Sequence, residues 1–264
     1  QFGEDTGSEV EQYMQLFKEK NAKDIIIDLR DNGGGYLTTL EDIGSMFVPK
    51  DGILIQQEIY SGEKLVSKSR GNILIDFEEI ILLVNENSAS ASEVLTAAIK
   101  ENIDTTIVGV TTYGKGTVQQ QHAFSDGSAL KYTVAEWLTP NGNHINGVGI
   151  NPDVVVDLHP VMHEIFTQLT EDEVYGIDTV DESVQDAQLA LDFLGYNVDR
   201  TDGYFSSKTL SALEAYIRDY KLENEPIINK VLLDKLRSEV VRIWNVEKSE
   251  KDVQLKKALE LIND

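Results

Sequence analysis

The sequence predicts an α/β core followed by a smaller, helical C-terminal domain. Two short apolar runs, at residues 25–29 and 80–84, are bounded by polar residues, as in strands that helices cover on both faces. Helical periodicity follows each run, and another strand-like segment lies at 106–110. Strands that alternate with helices predict a parallel sheet with right-handed crossovers. After residue 160 the strand-like runs disappear and the remaining patterns are helical.

The elements of the core follow from the spacing of apolar residues. The first helix has Val10, Tyr13, Met14 and Phe17 on one face. Its sequence leads into the apolar run at 25–29. The further predicted elements of the core are a helix from 37 to 47, a strand at 53–60 with a turn at 61–64, a helix from 92, and a hairpin of 118–124 and 130–138.

Two domains joined by a linker are predicted along the chain. Residues 1–165 form the core, residues 166–182 an acidic linker, and residues 183–264 a helical domain. Helical patterns lie near 161–170, 183–194, 206–220 and 228–245, with a charged helical tail at 252–262.

Composition excludes several classes of function. The net charge of −23 argues against nucleic acid, because a phosphate backbone is bound by clustered Lys and Arg. The chain has no cysteine, and its 4 histidines are too scattered to form a metal site. No run approaches the roughly 20 apolar residues of a membrane span. We therefore predict a protein without cofactor or metal, whose membrane attachment requires an anchor outside this chain.

A serine and a lysine suggest acyl transfer. Ser90 lies where the 80–84 strand gives way to a helix, so its hydroxyl can project from the end of the sheet and the Ala91 amide can point at the oxygen of the carbonyl group that Ser90 attacks. A serine needs a base to become nucleophilic, and a lysine acts as one when burial favours its neutral amine. Lys115 lies between two glycines, and the neutral Gln119 could orient its amine by hydrogen bonding. The simplest such reaction is peptide hydrolysis.

Each of these residues also has an ordinary structural interpretation. A serine and alanine cluster is common where helices start, and Lys115 and Gln119 could be a surface lysine and a strand glutamine. Glycines at 33–35 suit a flexible turn, or they expose an amide that completes an oxyanion hole. A phosphate loop is disfavoured because no lysine follows them. His122 as the base is a minor alternative.

Together the motifs resemble the carboxy-terminal processing, or tail-specific, serine proteases of the S41 type. Four segments carry the resemblance: Asp-Leu-Arg-Asp-Asn-Gly-Gly at 28–34, Ser-Ala-Ser-Ala-Ser-Glu at 88–93, Gly-Lys-Gly-Thr-Val-Gln at 114–119 and Gly-Val-Gly-Ile-Asn-Pro-Asp at 147–153. By this resemblance Ser90 is the nucleophile, Lys115 the general base and Gln119 the residue that orients it.

The resemblance also implies the rest of the site and the fold. The Ala91 amide, with one from Gly33 or Gly34, would form the oxyanion hole. The turn departs from the frequent Asn-Pro-Gly-Gly form because Gly33 stands at the proline position. The implied fold is a ClpP/crotonase-like protease core. Family members usually carry a PDZ domain and a membrane anchor upstream, which are missing from this chain.

The C-terminal part resembles a helical peptidoglycan-binding domain. The matching residues are Val184, Gln188, Leu191, Leu194-Gly195-Tyr196, Val198-Asp199, Thr201-Asp202-Gly203-Tyr204-Phe205 and Thr209-Leu210. Both resemblances imply a serine endopeptidase of the bacterial cell envelope. It would act on proteins with exposed C-terminal tails and bind peptidoglycan through 183–264. The alternatives are a binding or scaffold protein that keeps the protease fold without competent chemistry, and a hydratase-like relative of the fold.

Overall fold

The computed structural model describes residues 1–263, with the backbone alone of Ser249. The chain forms two compact units, Leu158–Val253 and a first unit that combines Gln1–Asp157 with the chain from Gln254 onward. These boundaries differ from the predicted domains. Residues 166–182, expected to be a linker, belong to the second unit, where Leu169 is buried in the apolar core. The helical tail belongs with the core of the first unit.

The first unit has the predicted alternation of strands and helices. Its elements are α1 (Thr6–Glu19), β1 (Asp24–Asp28), α2 (Leu37–Phe47), β2 (Ile53–Ile59), β3 (Lys64–Lys68), β4 (Glu79–Val84), α3 (Ala91–Asn102), β5 (Thr106–Gly109), β6 (Thr117–Ala123), β7 (Ala129–Leu138) and β8 (Val154–Val155). A parallel sheet has the order β1-β4-β5-β8, which confirms the predicted α/β class.

The central strand β4 is buried on both faces. Ile80, Leu82 and Val84 pack in the core that includes α2 and α3. Ile81 and Leu83 point to the opposite face, where they pack with Ala258. Alternate side chains of a strand point to opposite faces of the sheet, so a continuous apolar run is what two apolar layers require.

A second sheet is antiparallel and has the order β3-β2-β7-β6. The predicted hairpin is confirmed as β6 and β7, which pair from Thr117↔Glu136 to Ala123↔Ala129. β3 was not predicted, because its five residues, Lys-Leu-Val-Ser-Lys, show no alternation of apolar and polar side chains.

The second unit is mainly helical. Its elements are a 3-10 turn (Pro160–Met162), β9 (Val174–Tyr175), α4 (Glu182–Phe193), α5 (Ser207–Asp219), β10 (Ile228–Asn229), α6 (Lys230–Val246) and α7 (Lys248–Lys251), and the chain ends in α8 (Val253–Asn263). The short ladder of β9 and β10 was not predicted. The helix predicted at 161–170 was wrong beyond the 3-10 turn. Phe166 and Leu169 lie in an irregular segment and are buried in the core of the second unit. The Thr167 amide in this segment donates a hydrogen bond to Asp186 Oδ2.

Candidate active site

Ser90 lies at the N-cap of α3, between β4 and the helix, as predicted. Its backbone has φ 56° and ψ −118°, a conformation that non-glycine residues rarely adopt. Such a conformation costs roughly 1–3 kcal/mol and persists only where the surroundings enforce it, most often at functional sites. The side chain is partly exposed. The strand-to-helix junction therefore holds Ser90 in a sharp turn with its hydroxyl accessible.

The Glu93 carboxylate connects the serine turn to the lysine segment. Glu93 is fully buried in the first turn of α3. Its Oε2 accepts hydrogen bonds from the backbone amides of Ser90 and Lys115, both at 2.8 Å. Its Oε1 accepts from Thr112 Oγ1 and the Gly114 amide, both at 2.6 Å. The backbones of Ser90 and Lys115 therefore meet at a single oxygen atom, although they are 25 residues apart in the sequence.

Sequence reasoning placed Glu93 only in the first helical turn and missed this role. The available signal was the spacing of Ser90 and Glu93, which is that of a capping box in which the glutamate reaches back to the N-cap amide. The contacts with residues 112–115 could not be anticipated, because they depend on the tertiary fold.

Lys115 is held by its backbone, while its side chain is exposed. Gly114 has φ 83°, and a Cβ at Gly116 would lie 2.2 Å from the Asn146 nitrogen. Within residues 1–263 the Lys115 amine makes no hydrogen bond or ion pair. The burial that would favour a neutral amine is thus not provided by the described part of the chain.

Gln119 lies on β6, four residues after Lys115, and its side chain is exposed. The pairing of β6 with β7 shifts register between Val118 and Gln119. Such irregularities redirect side chains and often lie next to active sites. No hydrogen bond joins the Gln119 side chain to Lys115 within the described residues.

The glycine turn after β1 packs directly against the serine turn. Gly34 has φ 90°, and a Cβ there would lie 2.8 Å from the Ala91 nitrogen and 3.1 Å from Ser90 Cβ. The Gly34 amide donates to Asn32 Oδ1 at 3.0 Å. Among the described residues the amides of Gly33 and Ala91 have no such partner. Of the two predicted glycines, Gly33 is therefore the one with an amide available to an oxyanion.

The segment before α1 fixes the other side of this turn. The Phe2 amide donates to Gly34 O at 2.9 Å, and the Tyr36 amide donates to Phe2 O at 3.1 Å. Phe2 is buried, with an exposed fraction of 5%. A Cβ at Gly35 would lie 2.0 Å from Phe2 O, so only glycine fits there. Sequence reasoning missed Phe2, which has no local motif.

Side chains from two loops join the ends of β1 and β4. The Asp31 amide donates to Asn85 Oδ1, and the side-chain amides of Asn85 and Asn87 both donate to Asp31 Oδ1, each at 2.9 Å. Arg30 is bidentate to Asp28. These bonds order the loops that carry the glycine turn and Ser90.

His122, the minor alternative for the base, lies on the same hairpin as Gln119. His122 is exposed on β6, with its ring against Phe124 at 4.9 Å between centroids, and no hydrogen bond joins it to Ser90 in residues 1–263. The described residues contain no cluster of His, Asp and Glu suited to a metal ion. None of the described helices is long and apolar enough to cross a membrane.

Comparison with known proteins identifies the family. The model of Peptidase family S41 matches residues 1–156. The chain is 34% identical to the carboxy-terminal processing protease CtpB of Bacillus subtilis (strain 168), over 98% of this chain and 53% of that protein. It is 31% identical to CtpA of the same organism, over 99% of this chain and 54% of that protein.

A solved structure supports the same assignment. The photosystem II D1 C-terminal processing protease aligns with a TM-score of 0.56 and 34% identity, over 59% of this chain and 40% of that one. The chain spans about half the length of the two Bacillus relatives. Both the sequence match and the α/β fold lead to one conclusion: the chain belongs to peptidase family S41.

Proposed function

We propose that the chain is the catalytic part of a serine endopeptidase that cleaves peptide bonds near protein C-termini with a Ser90–Lys115 dyad. The observation that carries the proposal is the buried Glu93 carboxylate, which binds the backbone amides of both residues at one oxygen. A helix start and a loop 25 residues later are thereby fixed next to each other. Nucleophile and base must meet in this way for serine catalysis.

In the acylation step, the neutral Lys115 amine takes the proton of the Ser90 hydroxyl while Ser90 Oγ attacks the scissile carbonyl carbon. The developing oxyanion accepts hydrogen bonds from the amides of Ala91 and Gly33, which have no other partner among the described residues. The carbon–nitrogen bond then breaks, and the Lys115 ammonium returns its proton to the leaving amine. An acyl ester on Ser90 remains.

In the deacylation step, water attacks this ester and gives a proton to Lys115. The carbon–oxygen bond to Ser90 breaks, and the lysine returns the proton to Ser90 Oγ, which restores the starting state. Neither step needs a metal or cofactor. The oxyanion donors act in both, and loss of one such donor typically costs about 10²–10³-fold in rate.

A bound peptide would supply the cover that Lys115 lacks. The lysine side chain is exposed, and an extended peptide across Ser90 would exclude water from it, which favours the neutral amine. Gln119, which carries no charge, would then orient the amine without stabilising its protonated form. In this view the substrate completes the dyad.

The dyad is tested by following the cleavage of casein by mass spectrometry. Ser90→Ala, Lys115→Ala and Lys115→Arg should each reduce turnover by at least about 10³-fold with the fold intact, because arginine keeps the charge but cannot act as a base. Gln119→Ala should reduce turnover less than these three substitutions. The control is Lys18→Ala, at an exposed lysine on α1, which should cleave normally. Normal turnover by either Lys115 variant would refute the assignment of the base.

We further propose that the second unit binds peptidoglycan and that the protein works in the bacterial cell envelope, held by an anchor outside this chain. The support is the resemblance of residues 184–210, together with the conformation of its sharpest motif. Gly203 has φ 83°, and its amide donates to Gln188 Oε1 at 3.0 Å. Gln188 Nε2 donates to Tyr204 O at 2.8 Å, which presents the Tyr204 side chain in a fixed turn.

Wall binding is tested by sedimentation with insoluble peptidoglycan. The chain should pellet with the polymer, and Tyr204→Leu should pellet less, because it removes an aromatic ring that Arg200 stacks on and a hydroxyl that donates to Asp178. Tyr13→Leu, at an exposed tyrosine of α1, serves as the control. Recovery of the unaltered chain in the supernatant would contradict the proposal.

A further inference from the structure

The strand that follows the lysine has an open edge. β6 (Thr117–Ala123) is the last strand of the order β3-β2-β7-β6, so it pairs with β7 on one side only. It begins two residues after Lys115. An edge strand presents unpaired N–H and C=O groups, which is a template for another extended chain.

This edge lacks the charges and prolines that usually protect one, and its register shift with β7 lies at Val118 and Gln119, before the open residues. The β6 sequence Thr-Val-Gln-Gln-Gln-His-Ala contains no proline, lysine or carboxylate. The opposite edge of the same sheet, β3, carries Lys64 and Lys68 at its two ends. Natural proteins guard edges with such charges or with proline to prevent pairing with other chains. The contrast within one sheet indicates that β6 is left open for a ligand.

The register shows which backbone groups of β6 are free. The Phe124 amide donates to Ser128 O at 2.8 Å, so this pair is hydrogen-bonded. Hydrogen-bonded and non-hydrogen-bonded pairs alternate along an antiparallel ladder, and His122↔Leu130 is the next bonded pair. Gln121 and Ala123 therefore direct their N–H and C=O groups away from β7, along the open edge.

One face of the hairpin is apolar and uncovered. His122 and Phe124 lie on the same face, since they are two residues apart, and the cross-strand partner Leu130 joins them. Tyr132, which faces Gln120, completes the patch. The exposed fractions of Phe124, Leu130 and Tyr132 are 47%, 52% and 43%. Apolar side chains of a strand added at β6 would lie beside His122 and Phe124 and extend this patch.

We propose that extended peptide substrates pair as an additional strand along the open edge of β6, at Gln121 and Ala123, and place alternate apolar side chains beside Phe124, on the face that Leu130 and Tyr132 continue on β7. This rests on the proposed function, and the occupant follows from continuity with the site. Gln121 is six residues from Lys115, at most roughly 20 Å along an extended chain. The substrates selected are therefore uncharged segments with apolar residues at every second position, several residues from the scissile bond.

Binding is measured with the Ser90→Ala chain, so that no cleavage occurs. The probe is a fluorescent peptide of about 12 residues in which leucine alternates with serine, followed by anisotropy. Gln121→Pro removes only an outward N–H and keeps the ladder to β7, because proline is tolerated where the N–H faces solvent. It should weaken binding about fivefold to tenfold, as expected for a lost main-chain hydrogen bond, while Gln121→Ala should change it less than about twofold.

A second arm leaves the protein fold untouched. Two methylated peptides are compared, one with N-methyl groups on the odd-numbered amides and one with them on the even-numbered amides. Only one of the two should bind the Ser90→Ala chain more weakly, because only alternate amides of the peptide face β6. Phe124→Ser should weaken binding of the leucine peptide and leave the binding of an all-serine analogue unchanged. Equal binding of all methylated peptides, or no binding of the leucine peptide, would overturn the proposal.

The other occupants give different results. If a second copy of the chain covers this edge, sedimentation velocity will show a dimer that Gln121→Pro dissociates, and the substrate proposal fails. The binding test is also independent of the proposed dyad, because peptide binding by the Ser90→Ala chain does not require turnover. Loss of cleavage in the dyad variants with binding intact would support both proposals independently.

Discussion

The carboxylate of Glu93 has all four of its hydrogen bonds directed at the segments that carry Ser90 and Lys115, the proposed dyad. Oε2 accepts from two backbone amides, Oε1 accepts from one amide and the Thr112 hydroxyl, and the residue is fully buried. A buried charge is tolerated when such donors satisfy it. The geometry of the site thus depends on an acceptor that takes no part in the proton transfers.

Glu93→Gln should lower kcat about 10²-fold with a smaller change in KM. The glutamine side chain has one acceptor oxygen, and its NH₂ group would confront two donors, which separates the backbones of Ser90 and Lys115. Small displacements of reacting groups reduce reaction rates by factors of this size. Unpaired buried donors should also cost about 1–3 kcal/mol in the free energy of unfolding.

The measurement is peptide cleavage under saturating and limiting substrate, with thermal unfolding of the same variants. Glu19→Gln, at an exposed glutamate that ends α1, is the matched control and should behave as the unaltered chain. If Glu93→Gln keeps its kcat while unfolding at a lower temperature, Glu93 is a purely structural residue and the positioning role is wrong.

The residues of the site differ in how far the sequence could reveal them. Ser90 and Lys115 stand out because serine and lysine carry specific chemistry in short glycine- and serine-rich segments. Glu93 and Phe2 do not, because their contacts join segments far apart in the chain. The choice between Gly33 and Gly34 likewise required the hydrogen bond from Gly34 to Asn32.

At the scale of elements, local periodicity was a good guide to several strands, whether buried or exposed. β4 and the hairpin of β6 and β7 lie where their patterns indicated. The helix expected at 161–170 was not found, because Phe166 and Leu169 reach the core from an irregular segment. Helical spacing over one or two turns does not distinguish a helix from a loop that buries two side chains.

The hairpin shows how an element can connect packing to function. Its inner end is anchored in the first unit, where Trp137 and Leu138 are buried. Its outer end is exposed on both faces, and an unsupported pair of strands is marginally stable in water. A bound peptide would therefore order the same strand that positions Gln119, which links recognition to the dyad.

At the scale of the whole chain, the last helix returns to the first unit. α8 packs Ala258 and Leu255 against Ile81, Leu83 and Val108 on the far face of the parallel sheet. Gln254 accepts from Arg30 Nη1 at 3.0 Å and donates to Val156 O at 2.8 Å. A family match limited to residues 1–156 consequently omits one apolar layer of the protease core.

Ala258→Asp should destabilise the first unit by more than about 3 kcal/mol, because it buries an unpaired carboxylate against β4. Leu259→Asp, at a position that is 44% exposed on the same helix, should change stability little. Hydrogen exchange at the amides of β4 is the readout, since two compact units need not unfold together. Faster exchange in β4 for Ala258→Asp alone would establish that the parallel sheet needs α8. Equal protection in both variants would mean that residues 1–157 form a complete core without α8.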